Sequence, residues 1–196
     1  MERQAKLREA RQTQMMFEVP KTFRCVRIVG KGAYGMVCEA IDRNSKKRRD
    51  GKERVAIKKI KEALYHPLDA KLVLRELKIS RLIGNHPNIL GIRDLIRPSS
   101  KRRMDTIYIV SDFMDTDLYR LCQSQVEFTE NHVRHLLYQM LCGLSYMHSA
   151  NILHRDMKTA NLLVDRNFNL QICDFGLARF SSPGHEYDCE GSTGSV

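Results

Sequence analysis

The chain has 196 residues, of which 42% are hydrophobic, and a formal net charge of +10 at pH 7. This length allows one domain or a pair of small lobes, and the sequence has no apolar run near the ~20 residues that a membrane span needs. Six scattered cysteines without a C-x-x-C pair favour reduced thiols, and therefore a cytoplasmic or nuclear location, over a disulfide-stabilised secreted fold. The charged first sixteen residues are not those of a secretory signal.

The positive charge is concentrated in a few segments. Residues 43–54 hold seven basic and two acidic residues, and residues 97–103 hold four basic residues. Neither segment has the interleaved aromatic residues that stack on bases, so we expect solvated loops and no nucleic-acid partner. Two alternatives stay open. The run K-K-R-R at 46–49 could be a nuclear-import or docking patch, and salt-sensitive binding of DNA or RNA would support a nucleic-acid-binding protein.

The first part of the chain predicts an extension followed by three strands. Residues 1–16 have no clear apolar face, so we expect a loose extension. Residues 23–29 predict a strand, and the run G-K-G-A-Y-G-M-V at 30–37 follows it. Glycines there would let the backbone approach a phosphate closely. The same spacing occurs in dinucleotide-binding folds, where a helix follows at once; here residues 37–41 and 55–58 predict two more strands.

The third strand, V-A-I-K, places Ala56 and Lys58 on one face and Ile57 and Lys59 on the other. We expect Lys58 to point toward a ligand and Lys59 toward solvent. A helix should then run through apolar residues 72–83, with Asp69 as its N-cap. Two further strands are predicted at 89–96 and 106–111.

The next segment predicts two helices. Asp117 should begin a short helix, where it could either contact a ligand or simply cap the helix. Thr129 should open a long one. Its apolar residues recur at i, i+3 and i+4, so we expect them to be core: Val133, Leu136, Leu137, Met140, Leu141, Leu144 and Met147.

Residues 152–179 carry the strongest functional signal. H-R-D-M-K-T-A-N at 154–161 and D-F-G at 174–176 flank a segment that predicts a hairpin. A hairpin brings its two ends together, so Asp156, Asn161 and Asp174 should converge. Two carboxylates and an amide suit an oxygen-ligated magnesium ion. The alternative is a pair of charged turns around a surface hairpin.

These motifs resemble those of protein kinases, in which a glycine-rich hairpin, a V-A-I-K strand, H-R-D-x-K-x-x-N and D-F-G occur in this order. The runs G-K-G-A-Y-G-M-V-C-E-A, D-F-M-D-T-D-L-Y-R-L and I-C-D-F-G-L-A-R are similar to the mitogen-activated protein kinase (MAP kinase) family, of the extracellular-signal-regulated type. The resemblance covers residues 17–179. It implies an α+β, bilobal fold: an extension (1–16), a complete β-rich small lobe with one helix (17–111), and a hinge with an incomplete helical large lobe ending in the activation segment (112–196).

The resemblance also implies a reaction, the transfer of the ATP γ-phosphoryl group to serine or threonine of protein substrates. Asp156 and Lys158 would be catalytic, and Asn161 and Asp174 would bind Mg²⁺. ATP would be bound by the glycine-rich loop, the Lys58–Glu76 pair, the hinge and neighbouring positions: Val29, Gly30, Lys31, Gly32, Ala33, Tyr34, Gly35, Met36, Val37, Ala56, Lys58, Glu76, Asp112, Met114, Asp117 and Leu163. Cys173 would line the pocket, as an inert or a reactive thiol. The implied partners are protein substrates and an upstream MAP kinase kinase, with the chain a monomer and no membrane partner.

The last residues depart from the family. The family's T-x-Y activation pair is not found, because Glu186-Tyr187 follows His185 instead of a threonine, and no A-P-E follows. Arg75, Arg155 and Arg179 nevertheless match the basic trio that holds the family's phosphothreonine. We therefore expect a kinase fragment truncated within the activation segment. The alternative is a catalytically inactive truncated kinase that acts as a nucleotide-binding or regulator-competing module.

Overall fold

The computed structural model describes residues 2–32, 35–45, 53–63, 65–98 and 105–181. Predictions for Ala33, Tyr34, the basic patch at 46–49 and the segment after residue 181 lie outside these ranges. In the described part, no helix is both long and apolar enough to cross a membrane.

The first half of the chain forms a five-stranded antiparallel sheet with the strand order β1-β2-β3-β5-β4. One helix precedes the sheet and another lies between its third and fourth strands. The elements are α1 (Glu2–Met16), β1 (Phe23–Gly32), β2 (Gly35–Asp42), β3 (Glu53–Ile60), α2 (Pro67–Ile83), β4 (Ile92–Ile96) and β5 (Ile107–Asp112). We call this part the small lobe.

The second half, the large lobe, is built on two helices and short strands. These are β6 (Thr116–Asp117), α3 (Leu118–Gln123), α4 (Glu130–Ser149), β7 (Ile152–Leu153), a 3-10 turn (Thr159–Asn161), β8 (Leu162–Val164), β9 (Leu170–Ile172) and β10 (Arg179–Phe180). Strands β6, β8 and β9 form one small sheet, and β10 pairs with β7. The predicted α+β fold, with a β-rich small lobe and a partial helical large lobe, is confirmed.

The N-terminal segment is not a loose extension. It forms α1, and the residues around its end are anchored in the small lobe: Thr13 and Phe17 are buried, and the side-chain carbonyl of Gln14 accepts the backbone N–H of Cys25 at 2.9 Å. The prediction failed because α1 has no apolar stripe along its length, whereas its contacts are concentrated in the last turn and the residue that follows.

The alternation predicted for β3 is present, but Lys59 does not reach solvent. Val55, Ile57 and Lys59 face the buried side, and Ala56 and Lys58 face the cleft. Lys59 is only 4% exposed, because α1 covers it and its Nζ donates to the carbonyl of Met16 at 2.5 Å. The sheet face assigned to solvent is therefore the face on which α1 packs.

Helix α2 begins earlier than predicted. Pro67 occupies its first turn and His66 precedes it without a side-chain cap, so Asp69 lies inside the first turn and is not the N-cap. Proline suits this position because its fixed φ is helical and its missing N–H would have no partner there. A carboxylate in the first turn still favours the helix electrostatically.

The two helices of the large lobe begin as predicted, but α4 turns a different face to the core. Asp117 and Thr129 are N-caps, accepting the backbone N–H of Arg120 and His132 respectively. The buried positions of α4 are Leu136, Gln139, Gly143 and Met147, with Met140 and Leu144 partly buried. Three predicted core residues, Val133, Leu137 and Leu141, are instead about half exposed. Only one side of α4 has neighbouring elements in the described part of the chain.

Candidate active site

The β8–β9 hairpin brings Asn161 and Asp174 to the same end of the large lobe. Leu162 pairs with Ile172, so the residues just outside this pair are neighbours, and the N–H of Cys173 donates to the carbonyl of Asn161 at 3.0 Å. The side-chain amide of Asn161 donates to the backbone carbonyl of Asp156 at 2.9 Å and to its Oδ2 at 3.0 Å. Asp156 and Asn161 are therefore held together by direct contacts.

His154 fixes the loop that carries Asp156. It is 2% exposed, its Nδ1 accepts the backbone N–H of Asp156 at 3.2 Å, and its Nε2 lies 3.0 Å from the carbonyl of Cys173. Because Nδ1 accepts a hydrogen bond, Nε2 must carry the proton and donate it. One imidazole thus links the loop to the segment just before Asp174.

Asp156 and Lys158 form an ion pair at the surface of the cleft, with Nζ 2.7 Å from Oδ2. The hydrogen bond from Lys158 is the largest influence on Asp156, and together with the amide of Asn161 it lowers the pKa of the carboxyl. The same pair raises the pKa of Lys158. Both groups are therefore charged at neutral pH.

Lys58 and Glu76 form a second ion pair on the small-lobe side of the cleft. Nζ lies 2.6 and 2.9 Å from the two carboxylate oxygens. Burial acts to lower the pKa of Lys58, but attraction to Glu76 and then to Asp174 outweighs it, so the pKa is raised. Asp174, at the end of the hairpin, is thus close enough to act on the same ammonium group.

The backbone is in the left-handed region at both motifs. Arg155 and Asp174 each have φ of 67°, a conformation that is uncommon outside glycine and that persists only where surrounding contacts enforce it. Just after Asp174, the carbonyl of Gly176 accepts a hydrogen bond from Arg75 of α2 at 3.0 Å. Helix α2 therefore contacts the cleft through Glu76. It contacts the D-F-G segment through Arg75, the residue before Glu76.

A cavity of about 350 Å³ between the lobes collects most of the predicted nucleotide-binding residues. Its lining includes Val29, Gly30, Val37, Ala56, Lys58, Glu76, Asp112, Met114, Asp117, Asn161, Leu163 and Asp174. A neighbouring cavity of about 430 Å³ is lined by Gly32, Gly35, Asp156, Lys158, Lys58, Glu76 and Asp174, among others. Lys58, Glu76 and Asp174 border both cavities, so the two spaces meet at these charged groups.

Two predicted positions lie elsewhere. Lys31 and Met36 border a separate cavity beside α1, together with Met16 and Lys59. Met36 packs against the small-lobe core on that side. The glycine-rich strands therefore turn some side chains to the cleft and others to α1, which strand alternation predicts once the cleft face is known.

Several residues lining the cleft were missed by the motif analysis. They are Arg27, Leu90, Phe113, Asp115, Thr116 and Arg120, whereas Cys173 lines the cleft as predicted. Arg120 follows Asp117 by one turn of α3 and donates to the carbonyl of Val29 in the small lobe at 3.2 Å. A helical spacing of three residues from Asp117 could have indicated it.

Acidic residues on the hinge side are held by arginines. Arg93 of β4 forms ion pairs with Asp112 and with Glu53, the latter at 2.7 Å. Asp117 accepts the N–H of Arg120 at 2.8 Å through Oδ1, and its Oδ2 lies 3.3 Å from the Nε of the same arginine. Helix capping is thus an established role of Asp117, and contact with a ligand remains a prediction.

The surroundings of Cys173 disfavour its thiolate form. Burial, followed by repulsion from the Asp174 carboxylate, raises its pKa to about 12. The thiolate is the nucleophilic form, and it is scarce several pH units below the pKa. The inert alternative is therefore favoured for this position.

Arg179, one of the three arginines matched to the basic trio, is near enough to the other two to be affected by their charges. Burial and then repulsion from Arg75 and Arg155 lower the pKa of Arg179. Arg179 also donates to the carbonyls of Leu177 and Ala178, at 3.1 and 2.9 Å.

The oxygen-bearing side chains at the cleft suit a magnesium ion that arrives with a nucleotide better than they suit a metal ion held by the protein alone. Within the described ranges, no group of three or more His, Cys, Asp or Glu side chains could hold a metal. Asn161 and Asp174 supply two oxygen-bearing side chains at the cleft. Mg²⁺ is commonly held by one or two such ligands, with phosphate oxygens and water completing its shell.

Comparison with known proteins agrees with the motifs. The protein kinase domain family matches residues 23–194. The chain is 46% identical over 168 residues to the mitogen-activated protein kinase homolog MMK2 of Medicago sativa, covering 85% of this chain and 43% of the relative. It is 41% identical over 177 residues to mitogen-activated protein kinase 7 of Arabidopsis thaliana, covering 90% of this chain and 46% of the relative. The chain thus spans less than half the length of these relatives.

The matched region contains both lobes and every motif at the cleft, from the glycine-rich strands to the D-F-G segment. Fold, site geometry and sequence similarity therefore lead to one conclusion. The chain belongs to the protein kinase family, and it is similar in sequence to mitogen-activated protein kinases over most of its length.

Proposed function

We propose that this protein is an ATP-dependent serine/threonine kinase of the MAP kinase type, which transfers the γ-phosphoryl group of ATP to protein substrates. The observation that carries the proposal is the convergence of Lys58, Glu76, Asp156, Asn161 and Asp174 around one cleft. Membership of the protein kinase family and similarity to MAP kinases support this class of reaction.

Lys58 would hold the α- and β-phosphates of ATP. Its ammonium is held in place by both oxygens of Glu76, and it stays protonated because its pKa is raised. A fixed cation in a partly buried site binds phosphate without a reorganisation cost at the moment of reaction. The backbone of the glycine-rich strands, with Gly30 and Gly32 bordering the two cavities, would cover the phosphates.

Asp156 would orient the substrate hydroxyl and accept its proton. Its carboxylate is ionised at neutral pH, since Lys158 and Asn161 lower its pKa. A weak base of this kind contributes mainly by positioning, which suits phosphoryl transfer because the transition state needs little proton removal. Lys158, 2.7 Å from Asp156, would offset negative charge on the transferred group.

Asn161 and Asp174 would hold Mg²⁺ together with phosphate oxygens. Magnesium bound there supplies charge neutralisation at the phosphates during transfer. Asn161 already donates through its amide nitrogen to Asp156, which leaves its side-chain oxygen as the donor atom for a cation.

The wider setting is part of the same proposal. Protein substrates and an upstream MAP kinase kinase would be the partners, by family membership. The chain would act as a monomer. Its location would be the cytoplasm or nucleus, because its widely spaced cysteines suit a reducing compartment.

A phosphorylation assay with γ-labelled ATP, Mg²⁺ and a panel of unmodified proteins tests the proposal. We expect Lys58→Met and Asp174→Ala each to lower incorporation at least about a hundredfold, the size of effect seen when one electrostatic stabiliser of a transition state is removed. Lys61→Met is the matched control, because Lys61 is an exposed lysine that follows β3 and does not line the cleft.

Equal incorporation by the chain and both site variants would contradict the proposal. Binding of nucleotide without any transfer above the variants would instead support the alternative, a nucleotide-binding or regulator-competing module. The half-exposed apolar side of α4 is the observation that keeps this alternative open, because it leaves the large lobe with less buried surface to stabilise it.

A further inference from the structure

Asp115 lies between β5 and β6 and contacts both lobes through its carboxylate. Its Oδ1 accepts hydrogen bonds from both terminal nitrogens of Arg54 at 3.2 Å and from Nε of Arg166 at 3.1 Å. Its Oδ2 accepts the backbone N–H of Arg166 at 3.3 Å. Arg54 belongs to β3 of the small lobe, and Arg166 to the turn between β8 and β9 of the large lobe. One carboxylate therefore joins the two lobes.

Arg54 is held in position by the small lobe before it reaches Asp115. Its Nε donates to Glu39 of β2 at 2.8 Å, and Arg27 donates to the other oxygen of that carboxylate at 2.9 Å. The Arg54 guanidinium also lies over the ring of Phe113, 4.1 Å from its centroid. Burial acts to lower the pKa of Arg54, but Glu39 and then Asp115 outweigh it, so the pKa is raised.

The two elements that Asp115 joins carry cleft residues at their other ends. Arg54, Ala56 and Lys58 are alternate residues on one face of β3, and at about 3.3 Å per residue Arg54 is roughly 13 Å from Lys58 along the strand. In the β8–β9 hairpin, the turn with Arg166 is at the opposite end from Asn161 and Asp174. Both elements are paired strands, so a displacement at one end is transmitted to the other.

We propose that Asp115 is a positioning residue that fixes the hinge ends of β3 and of the β8–β9 hairpin to each other, and thereby sets the distance from Lys58 to Asn161 and Asp174. Isolated surface ion pairs contribute little. The Asp115 side chain, however, is only 22% exposed and belongs to a network with Glu39 at its small-lobe end. The effect on nucleotide binding rests on the proposed function, whereas the link between the lobes does not.

Amide hydrogen exchange of the full chain, followed by NMR, tests the link without any ligand. The reporter is the Arg166 N–H, which is bonded to Asp115. We expect Arg54→Gln, a change in the other lobe, to speed its exchange about five- to tenfold, the size that coupling within one ion-pair network gives. The amides of Asn167 and Asn169 should not change, because they donate to Asp165 in the same turn.

Arg134→Gln is the matched control variant. It removes an arginine that pairs with Glu130 on α4 at 2.7 Å and belongs neither to the Asp115 network nor to the cleft, so the Arg166 amide should exchange at its original rate. If Asp115 only capped the turn that contains Arg166, Asp115→Asn would speed exchange of the Arg166 amide and Arg54→Gln would not. An unchanged Arg166 amide in the Arg54→Gln chain therefore overturns the proposal. If Arg54→Gln does not fold, Arg54→Lys keeps the charge, loses the paired hydrogen bonds and serves the same measurement.

The consequence for the site is tested by titrating a non-hydrolysable ATP analogue with and without Mg²⁺. We expect Arg54→Gln to weaken binding about tenfold with Mg²⁺, a loss typical of coupled charged groups, and much less without it. Faster exchange at Arg166 with unchanged affinity would overturn the claim that Asp115 sets the Lys58 to Asp174 distance. No binding by the unmodified chain would contradict the proposed function, and the exchange result would still decide whether the lobes are linked.

Discussion

Several residues at the cleft depend on backbone geometry more than on side-chain chemistry. Gly35 begins β2 with φ of +145°, and a Cβ built there would lie 1.9 Å from the carbonyl oxygen of Lys59. No side chain fits that distance, so β2 can approach the end of β3 only with glycine at this position. Gly32, at the end of β1, has nothing within 4 Å of a Cβ. The described geometry therefore requires glycine at position 35 but not at position 32.

Gly35→Ala should destabilise the small lobe. The backbone conformation alone costs about 1–3 kcal/mol for a residue other than glycine, and the overlap with Lys59 must also displace β2 or β3. Urea denaturation followed by circular dichroism measures the loss. Gly32→Ala is the control and should change the free energy of unfolding by less than about 0.5 kcal/mol. Equal stability of the two variants would mean that β2 does not approach Lys59 as closely as described.

The site residues were predictable from sequence to the extent that motifs and strand alternation define them. The D-F-G and H-R-D motifs flank a hairpin, so the convergence of Asp156 and Asn161 with Asp174 could be predicted, and the alternation of β3 predicted which side of the strand carries Lys58. Asp115 could not be predicted in this way. Its four hydrogen-bond donors come from Arg54 and Arg166, which are 61 and 51 residues distant in sequence, and no local pattern indicates such contacts.

At the scale of elements, α1 is part of the small lobe. Phe17, just after the helix, is 1% exposed, its ring centroid lies 6.0 Å from that of Tyr108, and it belongs to the main small-lobe core cluster. The helix was missed because its anchors are few and polar as well as apolar. Periodicity detects a stripe along a helix, and here a single aromatic residue beyond the last turn makes the main contact.

Phe17→Ala should therefore be a core substitution although it lies near the N-terminus. Removing a buried phenylalanine typically costs about 3–5 kcal/mol, and α1 should lose its attachment to β1. Chemical denaturation gives the first quantity, and faster hydrogen exchange of the Cys25 amide, which is bonded to Gln14, reports the second. Met15→Ala is the control, since Met15 is 82% exposed. A Phe17→Ala chain as stable as the control would show that α1 is not anchored there.

Helix α2 connects the two lobes through its packing. Val73 belongs to a small-lobe cluster, whereas Ile79 and Ile83 belong to the large-lobe cluster with residues such as Phe175. Glu76 lies between these positions and faces Lys58. The orientation of Glu76 is thus determined by apolar contacts on both sides of it, which explains how one helix can place a carboxylate between the lobes.

At the scale of the whole molecule, two halves with separate cores meet at the cleft. The sequence predicted this division, because strands precede the segment at 111–114 and the long helices follow it. It did not predict how much of α4 would be covered. Hydrophobic periodicity shows which residues are apolar, but burial also requires a neighbouring element. In the described part of the chain, α4 packs on β7 and β9 on one side only.

Substitutions on the two sides of α4 should therefore differ sharply in effect. Leu136 is 5% exposed in the large-lobe core, whereas Leu137 is 49% exposed. Leu136→Ala should lower the free energy of unfolding by about 2–5 kcal/mol, as truncation of a buried leucine does. Leu137→Ala removes the same atoms from the next position along the same helix, and should cost less than about 1 kcal/mol because little surface is buried there. Urea denaturation of both variants, with hydrogen exchange along α4 to assign the loss to the large lobe, makes the comparison. Equal losses would mean that the outer side of α4 is covered in solution, and that the exposed positions belong to a larger core than these residues form alone.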